Sequence, residues 1–351
     1  MIFEGKAKIE TDGVFYNPRM KFCRNLDMKI YAVIDSKEYL DALAASGVRG
    51  IRAKIEASKM SSFNDANPKA VEVIKKNLKL NEIDAEVYNE DASLLMRRKK
   101  FEHIDLDPFG SPAQFMDSAC YSAKRFLSIT ATDTAALCGS SKSSELRKYG
   151  VYAIKTDAYW EIGLRVLIGF VCREATKYEK VALPIASWAK EHYYRVHFRI
   201  KRSTSQSAKI YEKIGFIFYC PRCCSKLALP LGDVAERCSC GEKFSAIGPL
   251  WIGELKDVEV IKKAVKIAEP SEIQEKKFLE SILNELDLPT AYSISHIAKR
   301  LRISPPSTEK LIEKLEELGY KASRTHYCGF CFKTNAEIEE IEKIIYPLSR
   351  V

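Results

Sequence analysis

The chain has 351 residues and a formal net charge of +9, with 46% hydrophobic and 29% charged residues. This composition is typical of a globular protein, and the charge favours polyanionic partners; at roughly 150 residues per domain the length predicts two domains. Since no apolar run approaches the roughly 20 residues of a membrane span and the first residues lack the apolar core of a secretory signal, we expect a cytoplasmic protein without membrane contact.

The first half of the chain alternates between predicted strands and helices. A strand at Tyr39–Ala44 runs through a small-residue turn around Gly47 into a helix, and a second strand is predicted at Met60–Asn64. A helix at Pro68–Leu80 and a third strand at Glu86–Asn89 follow. This alternation predicts a doubly wound, Rossmann-like parallel sheet of the α/β class.

Polar residues follow the predicted strands where a doubly wound sheet binds its ligands. Asp65 follows the second strand, a position from which a carboxylate can accept hydrogen bonds from a ribose, and Asp91 follows the third. The turn around Gly47 lets a ligand approach the start of a helix, although it lacks the GxGxxG pattern of a dinucleotide site. Together these strand ends predict a binding site along one edge of the sheet.

The centre of the predicted site is the run FEHIDLDPFGSP at 101–112. Its apolar alternation predicts a strand, which Pro108 must end because proline has no backbone N–H to donate. Asp105 and Asp107 point to the same side of this strand, and burying two carboxylates is costly unless they are paired or face a cleft. A solvated strand end is the alternative. We expect Asp107 at the carboxyl end of the strand, next to the ligand.

Two later strands, at Ala182–Ser187 and Tyr193–Lys201, are predicted to close the sheet as an antiparallel pair. The second interleaves aromatic residues with basic ones, including Arg195 and Arg199, a pattern that suits contacts to RNA phosphates and bases. A strand with one solvated face explains the same pattern equally well.

Four of the eleven cysteines have the spacing of a zinc site. Cys220 and Cys223 form one close pair, and Cys238 and Cys240 form another after a gap of 14 residues. Four thiolates satisfy tetrahedral zinc and leave no coordination position open, so we predict a structural Zn²⁺. Cys224 could replace Cys223 as a ligand. The odd number of cysteines, without a predicted secretory signal, argues against a disulfide framework.

The last part of the chain predicts an α+β unit. Three helical patterns lie between 272 and 320, and the second and third are joined through Pro305 and Pro306, which resembles a helix-turn-helix. Strands in the following tail would make it winged-helix-like. The predicted divisions are a first domain at 1–208 and a C-terminal domain at 209–351, with a zinc ribbon at about 218–246 and the winged-helix-like part at about 272–335.

Several stretches together resemble one family, the tRNA (guanine-N2-)-dimethyltransferases that modify tRNA position 26, in their archaeal form. The resemblance covers nearly the whole chain, and DLDPFGSP at 105–112 separates this family from other S-adenosylmethionine-dependent methyltransferases. The other matching stretches are FYNP (15–18), Arg24, DALAASGVRGIR (41–52), TATDTAALCG (130–139), EIGLR (161–165) and HYYR (192–195). The resemblance implies a class I methyltransferase domain, S-adenosylmethionine as methyl donor, and tRNA as the partner of the C-terminal domain.

For the cofactor, we expect Arg24 and Arg49 to bind the methionine carboxylate, because arginine can bind it with two parallel hydrogen bonds. Surface ion pairs are the alternative for each. The family usually has Asn-Arg-Asp where this chain has Cys23-Arg24-Asn25, so the acidic partner of Arg24 is lost or supplied by Asp27. The remaining cofactor contacts that the resemblance implies are Asp65 at the ribose and Asp91 with Ala92 beside the adenine.

The acceptor side needs a residue that handles the amine proton. The guanine amine is a poor nucleophile because its lone pair is delocalised into the ring, so the enzyme must hold nitrogen and methyl in line and let a proton leave. Asp107 is predicted to orient the amine and accept that proton, with one or two methyl groups transferred to N2. Phe109 and Phe15 are predicted to stack on the purine, a role that the resemblance also implies; core packing is the alternative for both.

Two other functions remain open from the sequence. An adenine-amine methyltransferase is disfavoured because its usual D/N-P-P-Y/F motif lacks a second proline here, where Phe109 follows Pro108 directly. A catalytically silent RNA-binding protein is disfavoured by the intact set of predicted cofactor residues.

Overall fold

The computed structural model describes residues 1–349. The predicted alternation of strands and helices is confirmed, and the strand at Met60–Asn64 and the helix at Pro68–Leu80 have the predicted bounds. In chain order the elements up to the end of the main sheet are β1 (Ile2–Glu4), β2 (Ala7–Ile9), α1 (Lys21–Val33), β3 (Glu38–Asp41), α2 (Val48–Ala57), β4 (Met60–Asn64), α3 (Pro68–Leu80), β5 (Val87–Tyr88), α4 (Ala92–Arg98), β6 (His103–Leu106), α5 (Met116–Ser122), β7 (Phe126–Ala131), α6 (Thr134–Leu137), α7 (Lys142–Tyr149), α8 (Tyr159–Thr176), β8 (Lys180–Lys190) and β9 (Tyr193–Arg202).

The central sheet has seven strands in the order β5-β4-β3-β6-β7-β9-β8. The strands from β5 to β7 in this order are parallel, β9 is antiparallel to β7, and β8 is antiparallel to β9. The strand order reverses between β3 and β6, which is where doubly wound sheets bind ligands outside the carboxyl ends of their strands. The sheet is therefore the predicted doubly wound, Rossmann-like sheet, closed by an antiparallel pair.

After β9 the chain forms two smaller sheets and several helices. The helix–turn–helix pair and the hairpin that follows it are present as predicted, in the sheet order β13-β15-β14, while another three strands pair as β11-β10-β12. The elements are α9 (Thr204–Lys209), β10 (Ile214–Tyr219), β11 (Lys226–Pro230), β12 (Ser245–Trp251), α10 (Val258–Ile267), α11 (Ile273–Asn284), β13 (Tyr292–Ser293), α12 (Ile294–Leu301), α13 (Thr308–Glu317), β14 (Ala322–Arg324), β15 (Cys331–Thr334) and α14 (Ile338–Leu348).

Helix α8 joins the main sheet to the later part of the chain. It is buried over most of its length, because the sheet covers one side and β12 packs on the other. A Cβ added to Gly169 would lie 2.8 Å from the backbone nitrogen of Trp251, so the close approach of α8 to β12 requires a glycine.

Two charged residues of α8 add hydrogen bonds and ion pairs to this contact between the main sheet and the later part of the chain, which we call the joint at α8. Arg165 donates to Glu161, one helical turn earlier, at 2.8 Å, and to the carbonyl oxygens of Trp251 and Leu288 at 3.1 and 3.0 Å. Glu161 also accepts from Nζ of Lys333 at 2.8 Å. The side chains of Arg165, Glu161 and Lys333 are all buried, so α8 holds three separate segments of the later chain through satisfied polar contacts.

No disulfide bond joins any of the eleven cysteines in the structure. Within residues 1–349 no helix is long and apolar enough to cross a membrane.

Candidate active site

A cavity of about 360 Å³ opens where the strand order reverses. The cavity is lined by the loops after β3 and β6, the segment before α1 and the turn between β8 and β9. The exposed lining residues, which include Phe15, Arg19 and Phe109, form its mouth. The volume lies within the range of small-molecule sites. Of the residues predicted from the sequence, five line this cavity: Phe15, Arg24, Arg49, Asp107 and Phe109.

Beneath the cavity lies a buried ion-pair network, which we call the charged floor: Asp27, Arg49, Asp105 and Arg195. Both terminal nitrogens of Arg195 donate to Asp105, at 2.9 and 2.8 Å, and its Nε donates to Asp27 at 2.9 Å. Arg49 pairs with Asp27. Burial alone would raise the pKa of Asp105, but Arg195 and Arg49 hold it well below its usual range. Each charge of the floor thus has an opposite partner, as burial requires.

The position of Arg195 excludes, for this residue, the RNA contact that the sequence left open. The interleaved pattern of β9 suggested that its basic residues contact RNA, yet Arg195 is fully buried, while Arg199 and Lys201 on the same strand are exposed. Strand β9 lies between β7 and β8 rather than at an edge, so most of its residues are covered on both faces. Arg195 therefore organises the floor and is not available to a phosphate.

Asp107 lies where the charged floor meets the cavity. It directly follows β6, as predicted, and its Oδ2 accepts a hydrogen bond from Arg49. About a quarter of its side chain is exposed, and its Oδ1 has no hydrogen bond to any residue from 1 to 349. Arg49 also lies 3.8 Å from Asp105, so both carboxylates of the DLD motif share this guanidinium. The nitrogens that were predicted to bind the cofactor therefore face carboxylates of the protein.

Arg24 has an acidic partner that the sequence did not indicate. Its Nε donates to Glu4 at 2.6 Å, and its Nη2 donates to Glu4 and to the carbonyl oxygen of Asn17. Burial would raise the pKa of Glu4, but hydrogen bonds from Arg24 and the nearby positive charges lower it to about 2. Asp27, the partner suggested by spacing, instead belongs to the charged floor. In the described part of the chain, Nη1 of Arg24 has no hydrogen bond.

The mouth of the cavity carries two exposed phenylalanine rings. The side chain of Phe15 is 62% exposed and that of Phe109 is 91% exposed, and their centroids lie 6.0 Å apart in an edge-to-face arrangement. Neither ring packs in the core, so their exposure favours the stacking role over core packing. The loop that carries Phe109 is fixed by a hydrogen bond of 2.8 Å from the backbone N–H of Gly110 to Thr132.

Asp41 is a buried site residue that the sequence analysis missed. It lines the cavity and accepts a hydrogen bond from the backbone N–H of Gly50 at 2.9 Å. Burial, reinforced by the negative charge of Asp105, raises the pKa of Asp41 well above its usual range. The strand-end rule that identified Asp107 would have found it, but β3 was predicted to continue to Ala44 and ends at Asp41. Other lining residues that were not predicted are Tyr16, Asn17, Thr132, His192 and Tyr193.

Three predicted cofactor residues lie outside this cavity, farther along the same edge of the sheet. Asp65 follows β4, and its Oδ2 accepts from the backbone N–H of Ala45, a lining residue, at 2.9 Å. Asp91 caps α4 by accepting two backbone N–H groups at 2.8 and 3.0 Å. Ala92, the first residue of α4, is buried. They are neighbours of the cavity rather than part of its wall.

The four predicted zinc ligands converge in a separate cluster. The sulfur atoms of Cys220, Cys223, Cys238 and Cys240 all lie within 4.8 Å of one another, with pairs at 3.5 and 3.4 Å. Four sulfurs bound at about 2.3 Å to tetrahedral zinc would lie about 3.8 Å apart, so the donor set fits the metal. Cys224, the alternative ligand, is outside the cluster and accepts from the Tyr219 hydroxyl at 3.8 Å.

Residues 3–346 match the family model of the N2,N2-dimethylguanosine tRNA methyltransferases. A relative from Archaeoglobus fulgidus named tRNA (guanine(26)-N(2))-dimethyltransferase is 60% identical over 342 residues, which cover 97% of each chain. A relative of the same name from Methanoculleus marisnigri is 39% identical over 95% of this chain and 91% of its own. The solved structure of Trm1 from Pyrococcus horikoshii with S-adenosyl-L-methionine gives a TM-score of 0.91 at 35% identity and covers 98% of this chain and 99% of that one.

Proposed function

Because this chain belongs to the N2,N2-dimethylguanosine tRNA methyltransferase family, we propose that the cavity is its active site and that Asp107 acts there on the guanine amine. The enzyme transfers one or two methyl groups from S-adenosylmethionine to the exocyclic N2 of the guanosine at tRNA position 26. One observation carries the assignment of Asp107: Arg49 binds one oxygen of its carboxylate, while the other has no partner in residues 1–349.

The acceptor base reaches Asp107 through the mouth. A guanosine paired or stacked in RNA does not present its amine in line with a methyl donor, so the nucleotide must be extruded. Phe15 and Phe109 are the exposed rings on which the purine stacks. Since their planes now lie at 76° to each other, at least one ring must turn before both can stack on the same base.

Asp107 accepts the proton that methylation releases. S-adenosylmethionine supplies an electrophilic methyl group on a cationic sulfur. As the nitrogen–carbon bond forms, the sulfur–methyl bond breaks and leaves a neutral thioether. N2 becomes positively charged, and the free oxygen of Asp107 accepts a hydrogen bond and then the proton. Arg49 prevents the carboxylate from rotating, which keeps that oxygen toward the amine.

The charges around the site favour a cationic donor. Asp27, Asp105 and Asp107 carry three negative charges, and Arg49 and Arg195 carry two positive ones, which leaves a net charge of −1. A fixed negative charge next to the donor attracts its sulfonium, which favours the binding of a cationic methyl donor.

The remaining cofactor assignments follow from which atoms are free. We propose that Arg24 binds the methionine carboxylate through Nη1, while Arg49 positions Asp107. Asp65 accepts one N–H at each oxygen, and each oxygen keeps a further lone pair for a ribose hydroxyl. Asp91 and Ala92 stay assigned to the adenine.

The chain from 209 onward is proposed to bind tRNA, with its winged-helix-like part at about 272–335. This proposal is supported by the order of helices and hairpin there and by the buried joint at α8, which fixes this part relative to the catalytic sheet. We also place the enzyme in the cytoplasm, where its substrate is made.

The activity is tested by methyl transfer from labelled S-adenosylmethionine to unmodified tRNA, followed by nucleoside analysis. We expect methylated guanosine at position 26 and none in a tRNA that carries adenosine there. Methyladenosine as the product, or tRNA binding without any transfer, would contradict the assignment.

A structural zinc is proposed at the four-cysteine cluster. We expect one zinc per chain in protein purified under reducing conditions without chelators, and its loss in Cys223→Ser. The matched control is Cys224→Ser, which should retain the metal because Cys224 lies outside the cluster. Zinc retained in Cys223→Ser but lost in Cys224→Ser would reverse the assignment, and absence of zinc from the wild type would refute it.

A further inference from the structure

Three arginines line the cavity, and two of them form ion pairs with carboxylates of the protein. Arg24 is bound to Glu4, and Arg49 is bound to Asp27 and Asp107. The third, Arg19, is exposed at the mouth, and its guanidinium has no hydrogen bond or ion pair in residues 1–349. An arginine that lines a ligand cavity without an internal partner is available to an anion from outside.

Although its side chain is exposed, the backbone of Arg19 is firmly held. It lies in a short 3-10 turn, Pro18–Met20, whose start is fixed by Pro18 and by the Asn17 side chain, which accepts from the backbone N–H of Arg19 at 3.0 Å. The carbonyl oxygen of Asn17 in turn accepts from buried Arg24. The guanidinium is therefore presented from a rigid base next to the cavity, which lowers the entropy cost of binding a ligand there.

The carboxylates around the cavity do not neutralise Arg19. Among the lining residues, Asp107 is paired with Arg49. Asp41 is buried and accepts a hydrogen bond from the backbone N–H of Gly50. Glu191, in the turn between β8 and β9, is the exposed carboxylate of the lining, and no ion pair joins it to Arg19.

We propose that Arg19 binds a backbone phosphate of the tRNA strand that carries the target guanosine. This inference rests on the proposed function. When the base enters between Phe15 and Phe109, the backbone must stay at the mouth, because the cavity ends on the charged floor. Arg19 lies four residues from Phe15 at that mouth. A guanidinium suits a phosphate because its planar N–H groups match two phosphate oxygens at once.

The test compares Arg19→Gln with Lys21→Gln, measuring tRNA binding over a series of salt concentrations. Lys21 is the matched control, since it is exposed, cationic and two residues away but does not line the cavity. Loss of one charge-assisted contact should raise the Kd for tRNA about tenfold in Arg19→Gln. The slope of log K against log salt should become shallower by about 0.7–0.9, the amount expected for one phosphate contact. Lys21→Gln should keep the wild-type slope.

Two further measurements distinguish a tRNA phosphate from the methionine carboxylate as the anion that Arg19 binds. They also distinguish failure of this proposal from failure of the proposed function. In Arg19→Gln the affinity for S-adenosylmethionine should stay unchanged, and Arg19→Lys should recover the salt slope because it restores the charge. A weaker affinity for S-adenosylmethionine with unchanged tRNA binding would assign Arg19 to the methionine carboxylate and overturn the proposal, as would a wild-type salt slope in Arg19→Gln. Failure of the proposed function is distinct: the wild type would then make no methylguanosine, whatever the salt slopes.

Discussion

The charged floor and the mouth of the cavity use the same kinds of side chain in opposite ways. In the floor, Arg195 is fully buried and bound to two carboxylates, whereas Arg19 at the mouth is exposed and unpaired within residues 1–349. The aromatic residues differ in the same way: Tyr39 is buried and donates to Asp105 at 2.9 Å, while Phe109 is almost fully exposed.

The difference shows which groups form their polar contacts within the protein and which are left for a ligand. The floor satisfies its charges within the protein, so it fixes geometry and contributes to folding. The mouth leaves its groups without partners, which costs little in water and keeps them for the substrate. Substitutions in the floor should therefore affect stability, and substitutions at the mouth should affect tRNA binding. Asp107 lies between the two regions, since Arg49 of the floor binds one of its oxygens and the other has no hydrogen bond in residues 1–349.

The largest effect is expected for Asp107→Asn, which keeps the shape of the side chain and removes its ability to accept a proton. Proton transfer by a positioned side chain contributes about 100- to 10,000-fold, so the single-turnover rate of methyl transfer should fall by that factor. Binding of S-adenosylmethionine should persist. Asp84→Asn, at an exposed carboxylate away from the cavity, is the control. A rate within about threefold of wild type would remove Asp107 from the chemistry.

The next largest effect is on stability and separates the floor from the surface. Arg195→Met leaves Asp27 and Asp105 buried without their main counter-charge, which should lower the free energy of unfolding by about 3–5 kcal/mol. The matched control is Arg199→Met on the same strand, whose side chain is 46% exposed and pairs with Asp257. That exposed pair should contribute no more than about 1 kcal/mol. Equal losses in the two variants, measured by urea unfolding, would contradict the distinction between floor and surface.

A smaller, pH-dependent effect is expected at Glu4, which holds Arg24 in the cavity wall. Its pKa is lowered from 4.5 to about 2 in the folded protein, so between these values the unfolded chain binds more protons than the folded one. The stabilisation is therefore complete above pH 4.5 and is lost as the pH falls toward 2. At neutral pH, Glu4→Gln should be less stable than wild type by about 3 kcal/mol, and the difference should shrink on acidification. A difference that stays constant from pH 7 to pH 3 would show that another group controls the effect.

The smallest effect is expected for Phe109→Ala, and it should appear in tRNA binding alone. Stacking on one base contributes about 1–3 kcal/mol, so the Kd for tRNA should rise by the corresponding factor. The free energy of unfolding should change by less than about 0.5 kcal/mol, because the ring is exposed. Phe3→Ala, another exposed phenylalanine outside the cavity, is the control. A large loss of stability in Phe109→Ala would show that this ring stabilises the fold, as the charged floor does, and would contradict its place at the mouth.

Local signals account for what the sequence predicted correctly. Pro108 marks the end of β6 because proline cannot continue a central strand, and that placed Asp107 at the edge of the sheet. Phe15 and Phe109 were predicted to stack on the purine, with core packing as the alternative; both rings are exposed, which argues against core packing, and their stacking role stays a prediction. The spacing of the cysteines predicted their cluster, because two residues close together in the chain stay close in the fold.

Contacts between residues that are far apart in the chain were missed, because they depend on how the whole protein folds. Glu4 lies 20 residues before Arg24 and has no motif, so only the fold brings them together. The direction of Arg195 depends on β9 lying inside the sheet, which alternation along one strand does not reveal. The end of β3 was misplaced because Leu43 and Ala44, though apolar, line the cavity instead of continuing the strand.

The joint at α8 has a consequence for protein engineering. Arg165 and Glu161 bind the chain at Trp251, Leu288 and Lys333, all after the main sheet. The chain after the main sheet is therefore not an interchangeable module: a graft onto another methyltransferase would need a recipient helix with the same buried charges and the same glycine facing β12. Retargeting this enzyme to another nucleotide is better attempted by changing exposed residues on either side of the joint while leaving α8 intact.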